Sequence, residues 1–164
     1  LLRDLEHIMQ LNNRTPCVGI CSTTYGDLVC RGCKRFAHEI VQWNGYDATQ
    51  QSAVRERLTR VRNEVLDALL ICDNHSKLQA ALSDAGLTDL DEKEGQYQLL
   101  RFMVRREQSL ASVGLSLTSE AAGRAAPNHQ PTPELDTLHA MQLLDAESFQ
   151  RAKAHYERNF KVPA

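Results

Sequence analysis

Four of the five cysteines fall within 17 residues, as Cys17-Val18-Gly19-Ile20-Cys21 followed by Cys30-Arg31-Gly32-Cys33. Two closely spaced pairs across a short loop are the spacing of a metal site, because a tight turn between paired cysteines lets two thiolates converge on one ion. Gly32 and Gly19 offer the left-handed backbone such a turn often uses, and Gly26-Asp27 turns the intervening segment so that the pairs can face each other. Four thiolates at Cys17, Cys21, Cys30 and Cys33 suit a closed tetrahedral Zn2+ site or an iron–sulfur cluster, and the spacing favours zinc slightly. Arg14, Arg31, Lys34 and Arg35 lie close enough in sequence to offset the negative charge of the thiolates. Two disulfides are the competing reading. They would leave Cys72 over, and no secretory signal is visible in the residues given. His38 follows Cys33 by five residues, but four cysteines already complete a ligand set.

A closed site leaves no open position for water or substrate, so it argues for structure rather than metal catalysis. No catalytic constellation stands elsewhere: there is no phosphate-cradling glycine loop and no H-E-x-x-H. The leading function is therefore a non-enzymatic metal-binding adaptor, in which the four-thiolate site organises a protein-interaction surface. An iron–sulfur redox or electron-transfer accessory protein is the second reading, and a nucleic-acid-binding zinc knuckle the third.

The segment resembles a known family. Thr15-Pro16-Cys17-Val18-Gly19-Ile20-Cys21, Cys30-Arg31-Gly32-Cys33-Lys34-Arg35 and Glu39-Ile40-Val41-Gln42-Trp43 are similar to a small bacterial four-cysteine domain of unknown function, the predicted iron–sulfur (YdhL-like) proteins. The resemblance runs over residues 15–58. It implies a metal or cluster site at the same four cysteines and no established reaction.

The rest of the chain reads as helix. Residues 1–11 carry Leu2, Leu5, Ile8 and Met9 at helical spacing, and Phe36, Ile40 and Trp43 make one apolar face after the cysteines. Asp47 or Thr49 caps a long helix over residues 48–72, with Val54, Leu58, Val61, Val65, Ala68 and Cys72 as its stripe and Cys72 as a buried core thiol. Asp73-Asn74 kinks or restarts the helix, Leu78, Ala81, Leu82 and Ala85 continue an apolar face to a stop at Gly86, and a further helix follows over residues 94–115. Residues 116–133, rich in Ser, Ala and Pro, read as a flexible linker. Beyond it, Asp145-Ala146-Glu147-Ser148 divides two short amphipathic helices. The expected fold is mainly α: a metal knuckle packed on an antiparallel helical bundle, with tethered C-terminal helices. Its segments are 1–46, 47–115, 116–133 and 134–164.

The tethered helices must fold back, self-associate or bind a protein partner, since two short helices bury little alone. Aromatic residues are only 5% of the chain, so the core must be mostly aliphatic. The formal charge of −2, spread evenly along the sequence, gives no global case for nucleic acid. Arg55, Arg57, Arg60 and Arg62 are diluted by Glu56 and Glu64 and read first as a solvated helix face. No apolar run reaches the length of a membrane span, so a cytoplasmic protein is expected.

Overall fold

The structure, a computed structural model, describes residues 15–124 and 136–160. The expected N-terminal helix over residues 1–11 and the second half of the expected linker, residues 125–133, lie outside the described residues. The chain is mainly helical and divides into two compact units. One holds the residues up to Arg62 together with those from Glu147 onward; the other is Asn63–Ala146.

In the first unit a 3-10 turn, Ser22–Tyr25, lies between the cysteine pairs and ends on Gly26 in the left-handed conformation (φ 96°). A short antiparallel bridge joins Val29 to Phe36. Helix α1, Ala37–Gln42, follows and continues as a 3-10 turn over Trp43–Gly45. Helix α2, Ala48–Leu69, starts on a reciprocal cap: Asp47 Oδ1 accepts the Gln50 N–H at 2.8 Å, and Gln50 Oε1 accepts the Asp47 N–H at 3.0 Å. The C-terminal half of helix α6, Asp136–Phe160, closes this unit. Val29, Phe36 and Ala152 are its buried cluster, with Phe149 and Tyr156 packed against them.

The second unit is aliphatic, as the composition demands. Leu66 and Leu69 at the end of α2 are buried, along with Leu78, Leu100, Met103 and Leu115. Helix α3, His75–Asp84, is capped by Asn74, whose side chain accepts the Lys77 N–H at 3.0 Å. Helix α4 spans Glu92–Arg105. Its Gly95 permits close packing, since a Cβ there would fall 3.3 Å from Leu82 Cδ2 and from the Leu87 carbonyl oxygen. Strands β1, Leu70–Cys72, and β2, Leu115–Leu117, pair antiparallel with Leu70 opposite Leu117 and Cys72 opposite Leu115. Thr118 then caps helix α5, Ser119–Gly123. The start of α6 is tied down by Asp136 Oδ1, which accepts the Leu110 N–H at 3.0 Å, and by the Thr137 hydroxyl, which donates to the Gln108 carbonyl at 2.6 Å.

Five expectations need correction. The helix expected over residues 94–115 ends at Arg105, and a 3-10 turn over Leu110–Val113 and strand β2 follow it. The long helix stops at Leu69, because its apolar end, Leu70–Cys72, takes a strand partner from beyond Gly114. Cys72 is consequently exposed rather than buried. The segment beginning at Ser116 completes a strand and forms α5 before the described residues break off, so its start is not linker. And the C-terminal pair is one continuous helix. Asp145-Ala146-Glu147-Ser148 holds no glycine or proline to stop it, and Ser148 is buried inside the helix.

Candidate metal centre

The second cysteine pair is built on a hairpin. The Cys30 N–H donates to the Arg35 carbonyl at 2.9 Å, the Ala37 N–H to the Leu28 carbonyl at 2.8 Å, and the Lys34 N–H back to the Cys30 carbonyl at 2.9 Å. The tight turn places the left-handed residue at Lys34 (φ 63°), not at Gly32. Gly32 is needed for a different reason. A Cβ there would meet Val18 Cγ2 at 2.6 Å and the Ile20 carbonyl oxygen at 2.7 Å. The loop of the first pair therefore lies directly on the turn of the second, and the Cys30 thiol donates to the Ile20 carbonyl at 3.7 Å. Gly19, in the first pair, does take the left-handed conformation (φ 95°).

The four thiols differ in setting. Cys17 is exposed, and its sulfur accepts the Gly19 N–H at 3.4 Å. Cys21 is half-buried, 2.8 Å from Thr23 Oγ1. Cys30 is buried, which works to raise its pKa. The backbone N–H groups of Cys33, Ser22 and Gly32 and the Cys33 thiol outweigh that effect and bring it down to about 7. Cys33 is half-buried, and burial pushes its thiol up, opposed by Arg35, whose Nε donates to the Cys33 sulfur at 3.3 Å. Hydrogen bonds from backbone N–H groups stabilise a thiolate, the form that binds metal.

Cys30 and Cys33 thus share one tight turn, and the segment bearing Cys17 and Cys21 packs on it. The convergence of all four is not shown: among the described residues no group of three or more His, Cys, Asp or Glu stands close enough to hold a metal ion. The donor chemistry suits a soft or borderline metal, while the assembled geometry extends to the Cys30–Cys33 pair.

Sequence reasoning named the residues that hold this region in place but missed that they meet. Glu39 is buried. Its carboxylate accepts the Phe36 N–H at 2.9 Å, and it receives both Arg57 terminal nitrogens, Nη2 at 2.8 Å and Nη1 at close range. The three-residue spacing from Phe36 to Glu39 was the available signal, a helix-start carboxylate. The Arg57 guanidinium also lies over the Phe36 ring, 4.1 Å from its centroid. Arg35 and Arg55 lie over the Trp43 ring at 4.8 and 5.3 Å, and Arg31 over Phe149 at 4.9 Å. Arginines near the cysteines are pinned to aromatic faces as much as poised over sulfur.

Residues 15–62 match a family described as a protein of unknown function (DUF1289), less than a third of the chain. No curated protein and no solved structure matches it. Among the described residues no helix is long and apolar enough to cross a membrane.

Proposed function

We propose that the unit containing residues 15–62 is a metal-binding adaptor module. In this reading Cys17, Cys21, Cys30 and Cys33 bind Zn2+, which fixes the loop between them and presents it to a protein partner. The observation that carries the reading is the exposure of large apolar side chains on that loop: Tyr25 is 89% exposed, Ile20 75%, Val18 64% and Leu28 57%. Apolar residues clustered at the surface of one short loop mark an interaction site rather than a core. A loop with so little buried apolar area needs another source of order. Metal ligation supplies about 10–16 kcal/mol in small zinc modules, ample to hold it. The packing of the two cysteine segments at Gly32 supports the same reading, since it brings the loops face to face before any metal is considered. The C-terminal half of α6 serves as the inner wall of the module. That leaves the cysteine loop as the surface proposed for the partner, whether another protein or a second copy.

An iron–sulfur cluster on the same four cysteines is the second reading. It is favoured by the N–H donors aimed at sulfur, from Gly19 to Cys17 and from Arg35 to Cys33, which are among the levers that set a cluster's potential. One experiment separates the two: the visible absorption spectrum and metal and sulfide content of protein purified without oxygen. A colourless protein with about one zinc per chain supports the adaptor reading. A brown protein with iron and acid-labile sulfide supports the cluster. Neither metal at stoichiometric level sinks both. In the zinc case, Cys30→Ser should unfold the segment from residue 15 to 43 while sparing the second unit, read by limited proteolysis and circular dichroism.

A further inference from the structure

Arg35 is a buried cation with no carboxylate to meet it. It follows Cys33 by two residues and is 4% exposed. A guanidinium keeps its charge in proteins, so burying one is costly unless an anion lies beside it. Arg57, also mostly buried, has the Glu39 carboxylate for this. Arg35 pairs with no carboxylate among the described residues. Its Nε donates to the Cys33 sulfur at 3.3 Å, and its guanidinium lies over the Trp43 ring, 4.8 Å from the centroid. A ring face eases the burial of a cation but does not cancel its charge. Of these two partners, the sulfur is the one that can carry a full negative charge.

The other cations near the cysteines are differently placed. The sequence offers Arg14, Arg31, Lys34 and Arg35 as counter-charges to the thiolates. Arg14 lies outside the described residues. The Arg31 side chain is 70% exposed, bonds Asp27 at 3.3 Å and lies over Phe149. Lys34 Nζ donates to the Gly32 carbonyl at 2.9 Å. Arg35 is both buried and bonded to sulfur. Its backbone serves the same cysteine pair, since its carbonyl accepts the Cys30 N–H at 2.9 Å. The ring that aims its side chain is itself fixed: Trp43 is buried, and its carbonyl accepts the Gln51 side-chain amide from α2 at 3.0 Å.

We propose that Arg35 is the positioning residue of the metal centre: its guanidinium, held flat on Trp43, is the fixed counter-charge to the Cys33 thiolate when the four cysteines hold a metal. Four thiolates around Zn2+ sum to a charge of about −2, and one guanidinium at a sulfur offsets half of it. An N–H donor on the sulfur also fixes the direction of that ligand. The proposal rests on the metal reading of Cys17, Cys21, Cys30 and Cys33 and adds to it a residue outside the ligand set.

The test is a Co2+ titration of the full chain, read by the sulfur-to-cobalt charge-transfer absorption, followed by Zn2+ competition against a chromophoric chelator. Circular dichroism shows that each variant is folded. Arg35→Met keeps an unbranched stem without charge or donor. It should lower Zn2+ affinity about 10–100-fold, the usual cost of losing a group that orients a metal ligand. It should also move the charge-transfer band to lower energy, because a sulfur without its N–H donor gives up an electron more readily. A mere packing role on Trp43 would leave that band in place. Arg35→Gln, also uncharged, stands in should the methionine variant not fold, with a loss of about tenfold or more expected. Arg55→Met removes the other guanidinium over the Trp43 ring, at 5.3 Å, and should change affinity less than about threefold with the band unmoved. Three results overturn the proposal. The first is a folded Arg35 variant that binds Zn2+ within about threefold of the wild type or whose band does not move. The second is an equal loss in Arg55→Met, which would assign the effect to the ring. Both leave the metal reading standing. The third is a wild-type chain that takes up neither Co2+ nor Zn2+, which overturns the metal reading as well.

Discussion

Arg57→Met is the most informative single change in the first unit. The Arg57 side chain is 16% exposed and that of Glu39 6%, and the pair is bidentate. Exposed ion pairs are worth about 0–1 kcal/mol, but removing one partner of a buried pair costs about 3–5 kcal/mol, because the charge left behind has lost both water and partner. Glu39 keeps the Phe36 N–H as one donor, which argues for the low end. The guanidinium over Phe36 adds about 0.5–1 kcal/mol, partly replaced by the Met side chain. The expected loss is therefore about 3 kcal/mol, a large share of the roughly 5–15 kcal/mol that holds a typical domain.

Trp43 makes the measurement clean. It is the chain's one tryptophan and is buried in the first unit, so its fluorescence follows that unit through a urea titration. With a slope of about 1–3 kcal/mol per molar urea, the midpoint should fall by about 1–3 M. Adding Glu39→Gln to Arg57→Met should restore at least about 2 kcal/mol, since the amide carries no charge to strand and still accepts the Phe36 N–H. A loss below about 1 kcal/mol for Arg57→Met, or additive effects in the pair, would refute the claim that this carboxylate is held by a buried partner.

Three further outcomes follow from the geometry. Gly32→Ala should cost about 1–3 kcal/mol and speed proteolysis of the cysteine loop, because the new Cβ would press on the Ile20 carbonyl as well as the Val18 side chain; unchanged cleavage rates would mean the two cysteine segments do not pack as described. Gly114→Ala should destabilise the second unit by at least about 1–2 kcal/mol by circular dichroism, since Gly114 is left-handed (φ 76°) and a Cβ would fall 2.5 Å from the Asn74 carbonyl oxygen, while its own carbonyl takes the Asp73 and Asn74 N–H groups. The His155 pKa is depressed in the fold, so its contribution to stability is full above the ordinary histidine value near 6.5 and is lost as pH falls through the lower folded value. The urea midpoint read by Trp43 should therefore drop between about pH 7.5 and 5, and the drop should shrink in His155→Gln; an equal drop in both would assign it to other groups.

Much of this was legible in the sequence because it is local. The Asp47 cap, the Gly26 turn, the apolar sides of α3 and α4 and the two cysteine pairs all announce themselves within a few residues. What was missed depends on partners far away. Leu70–Cys72 continues the apolar run of α2, and only pairing with Leu115–Leu117 makes it a strand. That pairing turns Cys72 outward. It also recruits residues that look like linker. Gly32 was visible as a glycine of the turn, but its reason, the close approach of Val18 and Ile20, belongs to the meeting of two loops.

The same distinction governs function. Cysteine spacing fixes which chemistry is available, while the convergence of ligands is a long-range property, of which the described geometry supplies the Cys30–Cys33 pair. Charge behaves likewise. A segment-by-segment count near neutrality hid the fact that α6 returns to the cysteine unit, bringing Arg151, Lys153 and Arg158 to the same unit as Arg55, Arg57, Arg60 and Arg62. Electrostatic attraction acts over about a Debye length, near 8–10 Å, so a partner meets the charges close to its own site rather than the sum over the chain. The net charge of a whole chain is therefore too coarse a quantity on which to exclude an anionic ligand. The charges beside a site decide, together with the partners that those charges already have.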